Sequence, residues 1–295
     1  MTLVSAHLHT SDLPSPGMHV RTLAVLGDSI GVGVGDPVAG GGWRGFPPLL
    51  AEALGAELVN VSRNGARLGC LRTEQLPLAM RARPDAAVVF AGMNDSFRSD
   101  FDVRRLHADL DTVVSTLTSS GVLVVTIRYH DHGRIFRLPG PLRRALAGRI
   151  GDLNAIVDDV VARHEIGMVD LDALPGTYQT ATWSVDRLHP SESGHRMLAR
   201  ALAGELSAAG AIVPAEVSLE CGGSRQITNF ERVAWMVVKG IPWLWRRSRD
   251  LLPYAAGVLL DEWRKPTRVQ TQTRPQPVLP DEILARRRGV GQRTS

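Results

Sequence analysis

The chain has 295 residues, is 44% apolar and carries a formal charge of +4, which allows one α/β domain with a sizeable core and an appendage. Residues 1–224 hold 20 basic and 24 acidic side chains, so this part gives no electrostatic reason to expect a nucleic-acid partner. Residues 225–295 hold 14 basic and 6 acidic side chains and could be drawn to an anionic surface.

The N-terminus lacks the basic start and apolar core of a signal peptide, and no apolar run reaches the length of a membrane span. We therefore expect a cytoplasmic protein. Composition divides the chain into four parts. They are a disordered segment (1–20), a folded domain (21–210), a linker with amphipathic helices (211–265) and a disordered basic tail (266–295).

Short apolar runs alternate with helical patterns in the folded domain, which is typical of a parallel sheet covered by helices. The predicted strands are Thr22–Leu26, Glu57–Val61, Ala86–Phe90, Val122–Ile127 and Met168–Leu171. The predicted helices are Phe46–Leu54, Val103–Leu117, Leu142–His164 and Pro190–Leu206. This order predicts a three-layer α/β/α sandwich with a five-stranded parallel sheet, whose site lies beyond the carboxyl ends of the strands.

The first strand is followed by Gly27, Asp28 and Ser29, where a tight turn would expose the serine hydroxyl. The alternative is that Ser29 merely caps the next helix. The loop after the second strand holds Gly65, whose backbone N–H can point at a carbonyl oxygen. The loop after the third strand holds Asn94, whose amide can donate into the same edge of the sheet. Each of these two also fits an ordinary turn.

Asp186 and His189 lie three positions apart just before the last predicted helix. At this spacing the carboxylate can accept the Nδ1–H of the imidazole, which leaves the other ring nitrogen free to take a proton from a serine. A lone histidine near a helix start is more often structural, and we expect His195 to be of that kind.

The four pieces, taken together and in this order, resemble the SGNH (GDSL) hydrolases. Their four motifs centre on a Ser in GDS, a Gly, an Asn in GxND and a His in DxxH, and the matching residues here are Ser29, Gly65, Asn94 and His189. The resemblance implies Asp186 as the acid of a catalytic triad and an oxyanion hole made by Ser29, Gly65 and Asn94.

The resemblance covers about residues 21–210 and implies a flavodoxin-like fold and a cofactor-free serine ester hydrolase. The expected substrate is a small-molecule, carbohydrate or lipid ester. Two alternatives stay open, namely acyl transfer at the same site and an interaction protein on a hydrolase scaffold. An ordinary α/β-hydrolase is excluded, because those enzymes place the catalytic acid and the histidine on separate loops, whereas Asp186 and His189 share one loop.

Other candidate motifs are weaker. His130, Asp131 and His132 could bind a metal, but no further ligand motif accompanies them, and a solvated loop is the favoured interpretation. The segment 31–35 is glycine-rich but lacks the complete signature of a phosphate-binding loop. We expect it to be flexible chain beside Ser29. The segments 131–141 and 175–184 are expected to wall the pocket, with Trp183 and Trp43 near it.

Residues 227–263 combine apolar residues at helical spacing with arginines and four tryptophans, and Pro242 and Pro253 interrupt the pattern. Two or three short amphipathic helices are therefore predicted rather than a membrane span. Packing on the domain, contact with a protein partner and peripheral binding to an anionic membrane all remain open.

Overall fold

A computed structural model of the chain describes residues 17–135 and 140–222. The helices expected over 227–263 and the tail 266–295 lie outside these ranges, as does nearly all of the segment 1–20. None of the helices within the described residues is long and apolar enough to cross a membrane.

A five-stranded parallel sheet forms the centre of the domain, as predicted. Its strands are β1 (Thr22–Gly27), β2 (Glu57–Asn60), β3 (Ala86–Phe90), β4 (Leu123–Arg128) and β5 (Gly167–Asp170). They lie in the order β2-β1-β3-β4-β5, and every neighbouring pair is parallel. The three inner strands are covered on both faces, which explains their continuous apolar sequences, whereas the edge strand β2 is exposed at both of its ends.

Helices cover both faces of the sheet. They are α1 (Ser29–Val32), α2 (Phe46–Leu54), α3 (Leu68–Cys70), α4 (Leu76–Arg81), α5 (Met93–Ser96), α6 (Val103–Ser119), α7 (Gly140–His164) and α8 (Glu192–Ala208). Short 3₁₀ turns lie at His132–Arg134 and Thr180–Thr182. Helices α2 and α8 pack together, and so do α6 and α7, which gives the predicted three-layer sandwich.

The four predicted helices are present with ends that differ by at most two residues. The last begins at Glu192 rather than at Pro190, because the hydroxyl of Ser191 caps it by accepting from the backbone N–H of Gly194. Asp102 caps α6 in the same way through the N–H of Arg105.

A helical segment that the sequence did not predict runs from α3 through a π-helical turn, Leu71–Gln75, into α4. The extra residue of the π turn breaks the apolar spacing that marks an α-helix. Pro77 also resembles a helix breaker in the sequence, although the helical backbone continues through it from the π turn into α4.

Residues 211–222, expected to belong to a linker, pack on the domain instead. Val217 is buried, and its carbonyl oxygen accepts two hydrogen bonds from Arg200 of α8. Gly222 donates its N–H to Glu192 Oε1 at 2.9 Å. The hydrogen bonds are made by backbone groups of the segment, which composition does not reveal.

Candidate active site

The loops at the carboxyl ends of β1, β3, β4 and β5 surround one cavity of about 60 Å³. Ser29, Asn94 and His189 all line it. Much of the remaining lining is apolar, including Phe90, Met93, Phe97, Leu171, Leu174 and Met197. The cavity therefore combines convergent polar groups with an apolar wall, as a binding site for a small molecule does.

Ser29 is the first residue of α1, directly after β1. Its hydroxyl does not cap the helix, because Asp28 does so by accepting the N–H of Ile30 at 3.0 Å. Gln75 holds the preceding backbone in place: its side-chain amide accepts from Gly27 N at 2.8 Å and donates to Gly27 O at 2.9 Å. The Ser29 hydroxyl is thus not needed as a helix cap and is available to contact His189.

Ser29, His189 and Asp186 form an unbroken chain of hydrogen bonds. Ser29 Oγ lies 2.8 Å from His189 Nε2, and His189 Nδ1 lies 2.6 Å from Asp186 Oδ2. The other carboxylate oxygen, Oδ1, accepts from the backbone N–H of Leu188 at 2.8 Å and from the hydroxyl of Ser184 at 2.7 Å. Asp186 is therefore fixed from two sides, and its carboxylate orients the imidazole.

Electrostatics favour an ionised Asp186. Burial alone would raise the pKa of this carboxyl, but the hydrogen bonds from His189 and Ser184 hold it below its usual range. Asp28, which directly precedes Ser29, has a pKa shifted in the other direction. Because its side chain is almost completely buried, its pKa is raised to about 6.

The His189 loop also rests on the chain that follows Ser29. Gly35, at φ +105°, lies so close to Pro190 that a Cβ there would be 2.0 Å from the Pro190 carbonyl oxygen. His195 is buried and bonded at both ring nitrogens, to Phe46 N at 3.2 Å and Val34 O at 3.0 Å. The segment 31–35, expected to be flexible, is therefore held by α8 and by the loop before it.

Only two of the three groups expected to form the oxyanion hole line the cavity. Ser29 and Asn94 line the cavity, whereas Gly65 does not and lies in an exposed turn at φ +74°. The Asn94 amide nitrogen donates to Ala66 O at 3.1 Å and to Asp28 Oδ2 at 3.4 Å. Asn94 thus links the Ser29 turn to the Gly65 loop.

A buried ion pair fixes the Asn94 loop. Asp95 is 1% exposed and accepts from Arg67 Nε at 2.8 Å and from the N–H of Leu68 at 3.1 Å. Burial raises the pKa of Asp95 despite these bonds. Sequence reasoning assigned no role to Asp95, Arg67 or Gln75, because their partners lie 27 to 48 positions away.

The interpretation of His130 and His132 as part of a solvated loop is wrong. Both side chains are buried and line the cavity, and their rings stack with centroids 3.9 Å apart. The described residues contain no group of three side chains able to hold a metal ion. Trp183 lines the cavity beside them, whereas Trp43 is exposed and does not.

Three solved structures similar to this chain are described as hydrolases or esterases. A lipase/acylhydrolase from Enterococcus faecalis is 22% identical, with 64% of this chain and 96% of that chain covered at a TM-score of 0.51. An acetyl xylan esterase from Geobacillus stearothermophilus is 22% identical, with 65% and 96% covered at a TM-score of 0.51. The α/β hydrolase LAE5, from the metagenome of Lake Arreo in Spain, is 20% identical, with 63% and 95% covered at a TM-score of 0.51.

These identities are low, so the solved structures bear on the fold alone. No curated protein matches the chain significantly. The sequence model of the GDSL-like lipase/acylhydrolase family matches residues 25–197, which is more than half of the chain and includes every residue of the site described above. Such a match supports ester hydrolysis in general terms. The chain belongs to the GDSL-like lipase/acylhydrolase family.

Proposed function

We propose that the chain is a serine ester hydrolase in which Ser29 is the nucleophile, His189 the general base and acid, and Asp186 the group that orients His189. One observation carries the proposal, namely the hydrogen-bonded chain from Ser29 Oγ through both nitrogens of His189 to Asp186 Oδ2. The bond from Asp186 assigns the proton of His189 to Nδ1, so Nε2 is left as the acceptor that a general base needs.

The reaction takes two acyl-transfer steps. As Ser29 Oγ bonds to the ester carbonyl carbon, its proton passes to His189 Nε2, and the carbonyl oxygen becomes an oxyanion. His189 returns the proton to the departing alcohol when the C–O bond breaks, which leaves an acyl-enzyme. Water, deprotonated by His189, then attacks that intermediate, and the acid is released as Ser29 regains its proton.

The proposed oxyanion hole consists of the backbone N–H groups of Ser29 and Gly65 and the side-chain amide of Asn94. Asn94 can turn one N–H towards the oxyanion by giving up its 3.4 Å contact with Asp28, which is the longer of its two bonds. Gly65 needs a larger adjustment, because it lies outside the lining of the cavity. Removal of one such donor should lower kcat by about 10²- to 10³-fold.

The proposed substrate is an ester with a short acyl chain or a small alcohol. The cavity of about 60 Å³ has room for a short acyl chain but not for a long one, and it is open to solvent, so the departing alcohol need not fit inside it. The similarity to an acetyl xylan esterase is in keeping with a short acyl group. Because each proton is moved by a side chain, the mechanism requires no metal or organic cofactor.

The test is hydrolysis of p-nitrophenyl butyrate and labelling by a fluorophosphonate probe. Ser29→Ala should reduce turnover by about 10⁴- to 10⁶-fold and abolish labelling, because both require the Ser29 hydroxyl. Ser120→Ala is the matched control, since Ser120 lies beyond the end of α6, where its hydroxyl donates to Thr116 O and its backbone N–H donates to Leu117 O. Retention of activity or labelling by Ser29→Ala would refute the assignment.

A further inference from the structure

A second cavity, of about 170 Å³, lies beside the cavity of Ser29 and takes no part in the mechanism proposed above. The two cavities meet at Trp183, which lines both of them. The indole of Trp183 is fixed, because its Nε1–H donates to Thr177 O at 2.6 Å. Arg134 and Arg187 line the second cavity, and its described lining residues include no acidic side chain. We call it the arginine cavity.

Arg134 is oriented by an aromatic ring. Its guanidinium carbon lies 3.4 Å from the centre of the Tyr178 ring, in a cation–π contact. Because the N–H groups of a guanidinium lie in its plane, stacking on a ring leaves them able to donate at the edges. The nearby carboxylate of Asp172 is engaged by the Tyr178 hydroxyl, which donates to it. Within residues 17–135 and 140–222, no acceptor or carboxylate pairs with the Arg134 guanidinium.

Arg187 reaches the arginine cavity from the loop that carries the proposed triad. It lies between Asp186 and His189 and has a left-handed φ of +56°. The turn is fixed by its backbone, since His189 N donates to Asp186 Oδ1 at 2.9 Å and Arg187 N donates to Ser184 O at 3.0 Å. In the described part of the chain its guanidinium also has no acceptor. Both Arg134 and Arg187 are exposed, so a ligand can reach them from solvent.

The charge of this cavity differs from that of its surroundings. Residues 1–224 hold 20 basic and 24 acidic side chains, so this part of the chain as a whole repels anions. Two arginines without a counter-charge concentrate positive potential at one place. The planar N–H groups of arginine match the oxygen atoms of a carboxylate or a phosphate. The arginine cavity therefore suits an oxyanion.

The position of the arginine cavity relates it to the alcohol part of an ester. His189 Nε2 must protonate the departing alcohol, so the alcohol oxygen has to lie within hydrogen-bonding distance of it. Arg187 is two positions from His189, which keeps their Cα atoms within about 7 Å of each other. The cavity of Ser29, in contrast, is lined by Asp28 and, among its described lining residues, by no arginine or lysine. An anionic acyl chain would therefore gain nothing there.

We propose that Arg134 and Arg187 form a subsite for an oxyanion, a carboxylate or a phosphate, on the alcohol part of the ester substrate. The inference rests on the proposed ester hydrolysis at Ser29 and adds a substrate class to it: esters of a short acyl chain with an alcohol that carries an anionic group.

Matched butyrate esters test the subsite. The esters of 3-hydroxypropanoate, 6-hydroxyhexanoate and 8-hydroxyoctanoate place a carboxylate at three distances from the reacting carbonyl, and the primary amide of each is the neutral partner of the same size. A phosphate is tested with 6-(phosphonooxy)hexyl butyrate against 6-hydroxyhexyl butyrate. At constant ionic strength, the wild type should favour the anionic member of at least one pair by about tenfold in kcat/KM, chiefly through a lower KM. Equal kcat/KM within all four pairs would overturn the proposal.

Variants separate the subsite from a general effect of charge. Arg134→Gln and Arg187→Gln should each bring the ratio of kcat/KM for the preferred pair close to 1, whereas Arg187→Lys should retain part of the preference. The matched control is Arg83→Gln, because Arg83 is also exposed, has a φ of +49° and precedes β3, at the opposite end of the strands. An equal fall of the ratio in Arg83→Gln and Arg187→Gln would refute the subsite.

A second measurement does not depend on turnover. In Ser29→Ala, the side-chain Nε–H NMR signals of Arg134 and Arg187 should shift on titration with the preferred anionic ester and not with its neutral partner. No shift with any of the four anionic esters would overturn the subsite, while turnover of 6-hydroxyhexyl butyrate by the wild type would still support hydrolysis at Ser29. Shifts in Ser29→Ala without hydrolysis of any ester by the wild type would refute the proposed function and support the anion site itself.

Discussion

Gly35→Ala should damage the proposed catalysis although Gly35 takes no part in the chemistry. The new Cβ would lie 2.0 Å from Pro190 O and 3.3 Å from His189 Cβ, whereas real Cβ contacts are essentially never below 3.0 Å. The His189 loop or the chain at Gly35 must therefore move by about 1 Å, and a shift of this size in a reacting group costs about 10²-fold in rate. The 2.8 Å bond between Ser29 and His189 would lengthen beyond hydrogen-bonding distance.

Gly35→Ala should also lower the stability of the fold, because of the backbone conformation at this position. Gly35 has φ +105°, and forcing a residue with a Cβ into the left-handed region costs about 1–2 kcal/mol. Gly41→Ala isolates this strain, because Gly41 has φ +96° and a Cβ there would meet nothing within 4 Å. Both variants should lose roughly 2–4 °C in Tm per kcal/mol of strain. Only Gly35→Ala should also lose about 10²-fold in kcat on p-nitrophenyl butyrate and react more slowly with a fluorophosphonate. A wild-type kcat in Gly35→Ala would refute the proposed coupling between this glycine and His189.

Four further results are expected. Asp186→Asn should lower kcat by about 10⁴-fold, less than His189→Ala does, because an amide facing Nδ1 imposes the wrong tautomer on a ring that is still present; an unchanged kcat would contradict the orienting role. Burial lowers the pKa of His195 to about 4, so its contribution to stability is complete above the ordinary pKa of about 6.5 and is lost as the pH falls towards 4. The decline of Tm over this window should be shallower in His195→Gln by calorimetry, and parallel curves would contradict the assignment. p-Nitrophenyl acetate and butyrate should be hydrolysed with higher kcat/KM than the palmitate, because the cavity is small; the reverse order would show that the site opens to long chains. EDTA should leave activity unchanged, and a loss that a divalent ion restores would contradict the cofactor-free mechanism.

The sheet could be predicted from the sequence because the pattern that identifies each strand lies within the strand itself. Each inner strand is buried on both faces, so its sequence is a continuous apolar run such as Ala86–Phe90, whose ends coincide in sequence and structure. The segment 68–81 was missed, because the buried Leu68, Leu71 and Leu76 are spaced three and then five residues apart across the π turn. That spacing matches neither a helix nor a strand.

In the site, likewise, contacts between residues close in the sequence could be predicted, and contacts between distant residues could not be predicted from local patterns. Asp186 and His189 are three positions apart, so their contact could be inferred from one loop. Ser29 and His189 are 160 positions apart and could be brought together only through the predicted topology and the family resemblance. The burial of His130 depends on Trp183, which reaches it from a loop more than 50 positions away, and no local pattern signals that contact.

The first and last described residues of the domain lie at opposite ends of the strands of the sheet. This matters for attaching the protein to a support. Met18 exchanges 2.8 Å backbone hydrogen bonds with Gly210 and Ile212, beyond the C-terminal end of α8 and on the side where the strands begin. Gly222 lies beside Glu192 in the first turn of α8, three positions after His189. The 17 residues of α8 separate these points by about 25 Å. An anchor or fusion joined ahead of Met18 would leave the entrance to Ser29 facing solvent, whereas one joined directly at Gly222 would stand next to it.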